Sequence, residues 1–193
     1  MMKLDLTEHH LIEYMVSSET IASGGMLTVK RDQVRLPNGN SSQREYVVHP
    51  GAVVVVPLLP SGHVILEKQF RYPLHQVFIE LPAGRIDAGE DILVTGQREL
   101  LEETGYSASE WIKLGHQHPC IGYSNEVIHM YLARGLIAGA HQRDDDEHLE
   151  VFEAPFERCI SMIRSGEITD GKTIVALFLA EKYLAEQYLL SNG

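Results

Sequence analysis

Gly84-Arg85-Ile86-Asp87-Ala88-Gly89-Glu90 leads toward Arg98-Glu99-Leu100-Leu101-Glu102-Glu103-Thr104-Gly105-Tyr106, and these two runs decide the fold. The spacing predicts a helix over residues 92–104. Ile92, Leu93, Leu100 and Leu101 supply its apolar positions, and Gly105 is placed to stop it. Gly96 sits inside and costs ~1 kcal/mol relative to alanine. On such a helix Glu99, Glu102 and Glu103 stand at i, i+3 and i+4 and share one face. Like charges so placed repel unless something cationic sits among them. Glu99 and Glu103 offer hard oxygen donors, and Mg²⁺ or Mn²⁺ suits that set. A lone acidic cluster on a helix is more often a solvated face. Two neighbours argue for more. The glycine-rich run lets backbone approach a phosphate or a metal, and Arg98 can pair with Glu90 to fix the loop on the helix.

Working outward, residues 52–59 form a nearly unbroken apolar run, expected as a central strand buried on both faces. Pro60-Ser61-Gly62 turns the chain, and residues 63–70 are expected to return as the second strand of a hairpin. A short strand at 78–81 ends at Pro82-Ala83-Gly84. Upstream, residues 11–16, 25–34 and 45–48 read as strands, with a turn at Pro37-Asn38-Gly39-Asn40. They suit a small separate sheet. Downstream, strands are expected at 111–114, 127–132 and 149–153, and helices at 155–165 and 173–190. Residues 141–148 are polar and acidic and read as a loop. Strands and helices without regular βαβ alternation indicate an α+β fold with a mixed sheet.

The 193 residues, 44% of them hydrophobic, are enough for one main domain with a small annex. The expected division is an N-terminal strand region over residues 1–50 and a catalytic domain over 51–193. A formal net charge of −11 argues against binding of DNA or RNA polymers. It is compatible with a small phosphorylated substrate if a metal supplies positive charge locally. Cys120 and Cys159 show no zinc spacing, fit a reducing compartment, and are expected to be ordinary buried side chains. No apolar run reaches membrane-span length, and the N-terminus lacks an apolar signal core, so a cytoplasmic protein is expected. The ten histidines show no metal-ligand spacing and stay unassigned.

The run from Gly84 to Tyr106 resembles the Nudix box, G-x5-E-x7-R-E-U-x-E-E-x-G-U, with U a bulky apolar residue. Gly84, Glu90, Arg98, Glu99, Glu102, Glu103 and Gly105 fill every fixed position, and Leu100 and Tyr106 fill the two U positions. The flanks resemble the ADP-ribose and nucleoside-diphosphate-sugar pyrophosphatase branch. Gln69-Phe70-Arg71-Tyr72 is similar to its Q-x-R-Y segment, and Glu80-Leu81-Pro82-Ala83-Gly84 to its E-x-P-A-G segment. Pro119 to Glu126 is similar to P-G-x-S-x-E, except that Cys120 and Ile121 separate the proline from the glycine. Asp144 to Val151 resembles the acidic catalytic loop and the strand after it.

The resemblance implies a Nudix α/β/α sandwich and a Mg²⁺-dependent hydrolase. Water would attack one phosphorus of a nucleotide-sugar such as ADP-ribose, giving AMP and ribose 5-phosphate. Glu99 and Glu103 are the expected metal ligands, joined by the backbone carbonyl of Ala83, with Glu102 a ligand or its neighbour. Glu90, Arg98, Gly84 and Gly105 take structural roles. The general base is expected in the loop Arg143 to His148, with Glu147 as base or metal ligand and Asp145 the alternative. Arg71 and Arg44 are candidate phosphate clamps. Glu80 and Glu126 are candidates for ribose hydroxyls or for water near the metals. The resemblance also implies a homodimer formed through the N-terminal strands. Three alternatives stay open: GDP-mannose or another nucleotide-sugar as substrate, a non-catalytic nucleotide sensor on the same fold, and a structural acidic helix.

Overall fold

The computed structural model describes residues 6–139 and 148–192. The expected loop, with Asp144, Asp145 and Glu147, lies outside the described residues. The chain divides into two compact units, one holding residues up to His49 together with Cys120–Glu126, the other holding Pro50–Pro119 and Val127 onward.

In the first unit, β1 (Tyr14–Ser23), β2 (Thr28–Arg35) and β3 (Ser41–Val48) form an antiparallel sheet in that order. The expected turn joins β2 to β3: Gly39 adopts φ 87°, Leu36 N–H donates to Asn40 O, and Asn40 N–H donates to the Asn38 side chain. Residues 120–126 lie beside β3, where Val47 N–H donates to Tyr123 O at 2.8 Å. The first strand departs from expectation. Residues 6–11 are a short 3₁₀ helix and the strand starts at Tyr14. All ten residues of β1 are exposed, so neither face imposes the alternation that would have marked its length.

In the second unit, β4 (Ala52–Pro57), β7 (Ala83–Arg85), β8 (Tyr106–Gln117) and β9 (Ile128–Ala138) form a mixed sheet in the order β7-β4-β9-β8. The β4–β9 pair is parallel and the other two pairs are antiparallel. A second, antiparallel sheet runs β10 (Leu149–Pro155), β5 (His63–Arg71), β6 (Gln76–Glu80). Helix α1 (Ile92–Thr104) covers one face of the mixed sheet through Val53, Val55, Leu100, Tyr131 and Ala133. Helices α2 (Phe156–Ser165) and α3 (Gly171–Asn192) close the larger core, built on Val54, Val56, Leu66, Leu132 and Leu177.

The expected hairpin of residues 52–70 is corrected. β4 and β5 belong to different sheets and share a single bridge, Leu58 to Val64. Every residue of β4 is buried, so it needs a strand on each edge, and β7 and β9 supply them. The turn instead carries the chain to the other sheet, where Val64 and Leu66 enter the shared core.

Candidate active site

Helix α1 is fixed at both ends by its own sequence. The Asp91 carboxylate accepts from Leu93 N–H at 2.9 Å, and Gly105, at φ 77°, returns its N–H to Leu101 O. Gly96 brings the helix down onto the sheet, since a methyl there would sit 3.1 Å from Val53 Cγ1. The depth so set places Glu99 and Glu103 inward, 8% and 2% exposed, beside the strand that carries Ala83 and Gly84. Glu103 Oε2 accepts from Ala83 N–H at 2.9 Å. A methyl at position 84 would overlap the Glu99 carboxylate, so glycine there lets that side chain lie directly against the strand.

Arg98 organises the rest of the helix face. It grips Glu90 with two hydrogen bonds, Nε to Oε1 at 2.9 Å and Nη2 to Oε2 at 3.0 Å. Its Nη1 donates to Glu99 Oε1 at 2.7 Å and Glu102 Oε2 at 3.0 Å, and its Nη2 to Arg85 O at 3.1 Å. Glu90 also accepts from the Thr95 hydroxyl and the Asp87 amide. The Arg98 guanidinium, working against burial and helped by these two donors, pushes the Glu90 carboxyl down to about 2. The same carboxylates raise the pKa of Arg98. One cation thereby tethers the loop through Glu90 and holds Glu99 and Glu102 on one helix face.

Upstream of the glycine run, β5 ends at Arg71 and β6 ends at Glu80. They form a two-point ion pair that Lys172 joins from the start of α3. Asp170 holds Lys172 at 3.0 Å and caps α3 through Thr173 N–H. Burial opposes the charge of Glu80, which is 2% exposed, yet the Arg71 hydrogen bonds and the Lys172 ammonium hold its pKa below the ordinary carboxylate value. These residues with Leu74, Phe78 and Thr169 line a pocket of about 320 Å³. Sequence reasoning missed Asp170 and Lys172. The signal available was Asp170 at a helix cap position; nothing in sequence joins Lys172 to Glu80, 92 residues away.

In the first unit Arg44 is held by Glu13 through Nε and Nη2 at 2.8 and 2.5 Å. It borders a pocket of about 240 Å³ with Tyr46, Tyr123 and Asn125. Glu126 stands 3.6 Å from His49 Nδ1. Cys159 is buried, which pushes its thiol up to about 11, whereas Cys120 is partly exposed, contrary to expectation.

The donor chemistry around Glu99 and Glu103 fits a hard divalent cation: two inward carboxylates, Glu99 lying against Gly84 and Glu103 against the Ala83 amide. Among the described residues no three His, Cys, Asp or Glu side chains already stand in position to hold one metal together. Among the same residues no helix is long and apolar enough to cross a membrane.

The NUDIX domain family model matches residues 48–174, and the chain belongs to this family. It is 39% identical over 169 residues to the ADP-ribose pyrophosphatase of Bacillus subtilis, covering 86% of this chain and 91% of that protein. It is 38% identical over 184 residues to the methanol dehydrogenase activator of Bacillus methanolicus, covering 93% and 96%. A GDP-mannose pyrophosphatase of Salmonella typhimurium is 34% identical over 152 residues, covering 72% and 75%. The fold matches a crystal structure of an ADP compounds hydrolase with a TM-score of 0.82 at 24% identity, covering 91% of this chain and 95% of that one.

Proposed function

We propose that this chain is a Mg²⁺-dependent pyrophosphohydrolase that cleaves ADP-ribose to AMP and ribose 5-phosphate. The observation that carries the proposal is the inward placement of Glu99 and Glu103 on one face of α1, against Ala83 and Gly84. The similarity to an ADP-ribose pyrophosphatase over 91% of that protein supports the substrate.

Glu99, Glu103 and the Ala83 carbonyl would hold Mg²⁺, with Mn²⁺ a substitute and Glu102 beside them. When bound, the metal neutralises diphosphate charge and makes water more acidic. Arg98 keeps Glu99 and Glu102 on the same face until then. Glu147, or Asp145 in its place, takes the proton from the attacking water. Arg71 contacts phosphate or ribose, and Glu80 serves the sugar hydroxyls. The Arg71, Glu80, Lys172 and Asp170 side chains carry equal positive and negative charge. Such a balanced set favours an uncharged sugar ring over a phosphate.

The protein works as a cytoplasmic homodimer joined through its N-terminal strands. Support comes from β1, where Tyr14, Met15, Val16 and Ile21 are all exposed. A second substrate, GDP-mannose, is favoured by the similarity to a GDP-mannose pyrophosphatase. Product analysis with Mg²⁺ and a panel of ADP-ribose, GDP-mannose, UDP-glucose and diadenosine compounds separates them. AMP and ribose 5-phosphate from ADP-ribose support the proposal; cleavage of GDP-mannose with ADP-ribose left intact overturns it.

A further inference from the structure

The start of α3 is locked onto the end of β6 by neighbouring side chains. Asp170 accepts from Thr173 N–H at 3.0 Å and so caps the helix. Lys172 reaches the Glu80 carboxylate, and Asp170 steadies its ammonium at 3.0 Å. Thr173 is fully buried, and its hydroxyl accepts from Leu81 N–H at 2.9 Å. Glu80 and Leu81 are therefore gripped by Lys172 and Thr173, two neighbours against two neighbours.

Glu80 in turn aims Arg71. Its two oxygens take Nε and Nη2 of the guanidinium, and Nη1 has no hydrogen-bond partner among the described residues. That edge is the one available to a ligand in the pocket of about 320 Å³ that Arg71, Glu80 and Lys172 line. Glu80 is hard to keep in place by Arg71 alone. It is 2% exposed and lies directly opposite Glu67, 1% exposed, in the β5–β6 register. Like charges so placed destabilise a strand pair. Lys172 adds a second positive charge beside them, brought from a different element. Arg71 then shares the carboxylate instead of being its single cation, and its side chain stays 42% exposed.

We propose that Lys172 is a positioning residue for the substrate: by pinning the Glu80 carboxylate it sets the free edge of Arg71 toward the sugar side of a bound nucleotide-sugar. The inference rests on the reading that such a compound is the substrate and that Arg71 touches it. Lys172 acts through Glu80 and Arg71, so its effect requires the Glu80 charge.

The test is a double-mutant cycle on the whole protein. Lys172→Met removes the ammonium, Lys172→Arg keeps the charge, and Glu80→Gln removes the carboxylate charge while keeping its shape. Each is measured for KM and kcat with Mg²⁺, and by calorimetry for affinity without divalent cation. The probe is ADP-ribose, or GDP-mannose if only that one binds. Lys172→Met is expected to raise KM and weaken affinity on the order of tenfold, a usual coupling within one network, while kcat holds. Lys172→Arg should restore most of the loss. In the Glu80→Gln background, itself weakened, Lys172→Met should add nothing further. The double variant carries neither the Glu80 nor the Lys172 charge, so this comparison decides the matter even where Lys172→Met alone does not fold. Equal losses in both backgrounds overturn the proposal, because Lys172 would then act independently of Glu80. Unchanged affinity in Lys172→Met overturns it as well. A wild type that binds ADP-ribose without cleaving it refutes the hydrolase and leaves the affinity comparison standing. A wild type that binds neither compound refutes both.

Discussion

Arg71, paired in register with Gln76, reaches along the β5–β6 pair to Glu80, which lies opposite Glu67, and the two share two hydrogen bonds, each 2.7 Å long. The carboxylate is 2% exposed and the arginine side chain 42% exposed. Removing the arginine leaves a buried charge with Lys172 as its remaining cation. Arg71→Ala is expected to cost about 1–3 kcal/mol in urea unfolding and to raise KM. Arg71→Lys should restore part of the stability but not the two-point geometry, so its KM should stay high. An unchanged KM in both variants would count against Arg71 as a substrate contact.

Glu103→Gln keeps size and hydrogen-bonding capacity while removing charge. Turnover is expected to fall by about a hundredfold or more, with circular dichroism unchanged. Glu99→Gln should behave alike, and calorimetry should show weakened Mg²⁺ uptake for both. A nucleotide sensor would show no turnover in wild type to lose. A merely solvated acidic face would show no saturable Mg²⁺ binding.

Acid should dissolve the Glu90–Arg98 clasp. The Glu90 carboxyl is pushed down to about 2 in the folded protein, against an ordinary value of about 4.3. A depressed carboxylate adds stability above its unfolded value and loses it as the proton returns. The contribution is therefore complete above about pH 4.5 and fades toward pH 2. Melting temperatures of wild type and Glu90→Gln should differ most at neutral pH and converge in that acid window. A difference that stays constant from pH 6 to 3 would contradict the assignment.

Gly84→Ala places a methyl where the Glu99 carboxylate stands. The expected outcome is a loss of Mg²⁺ affinity and turnover together, since the glutamate must swing away. Melting should change less than activity, because strand β7 is short and its backbone pairing to β4 survives.

Sedimentation offers a test of the N-terminal strands. Met15→Glu with Val16→Glu puts charge on both faces of the exposed β1. A shift from dimer to monomer is expected in analytical ultracentrifugation. An unchanged dimer would place the interface elsewhere.

Local chemistry made α1 legible in sequence to the residue: the apolar positions Ile92, Leu93, Leu100 and Leu101 and the stopping Gly105 agree. The glutamate face was legible for the same reason, because helical spacing is a property of neighbours. Strand partners were not. The run at 52–59 showed burial but not that β7 and β9 would flank it. Lys172 reaches Glu80 across 92 residues, and His129 meets His116 only after a register shift at Gly115. Such pairings depend on tertiary packing, which residue periodicity does not encode. β1 failed differently: with both faces exposed, no pattern existed to be read.

Gly96 has a consequence for anyone trying to harden this protein. A mid-helix glycine is an obvious target, worth about 1 kcal/mol if replaced by alanine. Here the added methyl would press on Val53, which is fully enclosed and β-branched, and overpacking of that kind costs about 1–3 kcal/mol. The lifted helix would also carry its acidic row away from the strand below. Heat tolerance and chemistry would then be lost in the same stroke, so thermostabilising designs should leave this position alone.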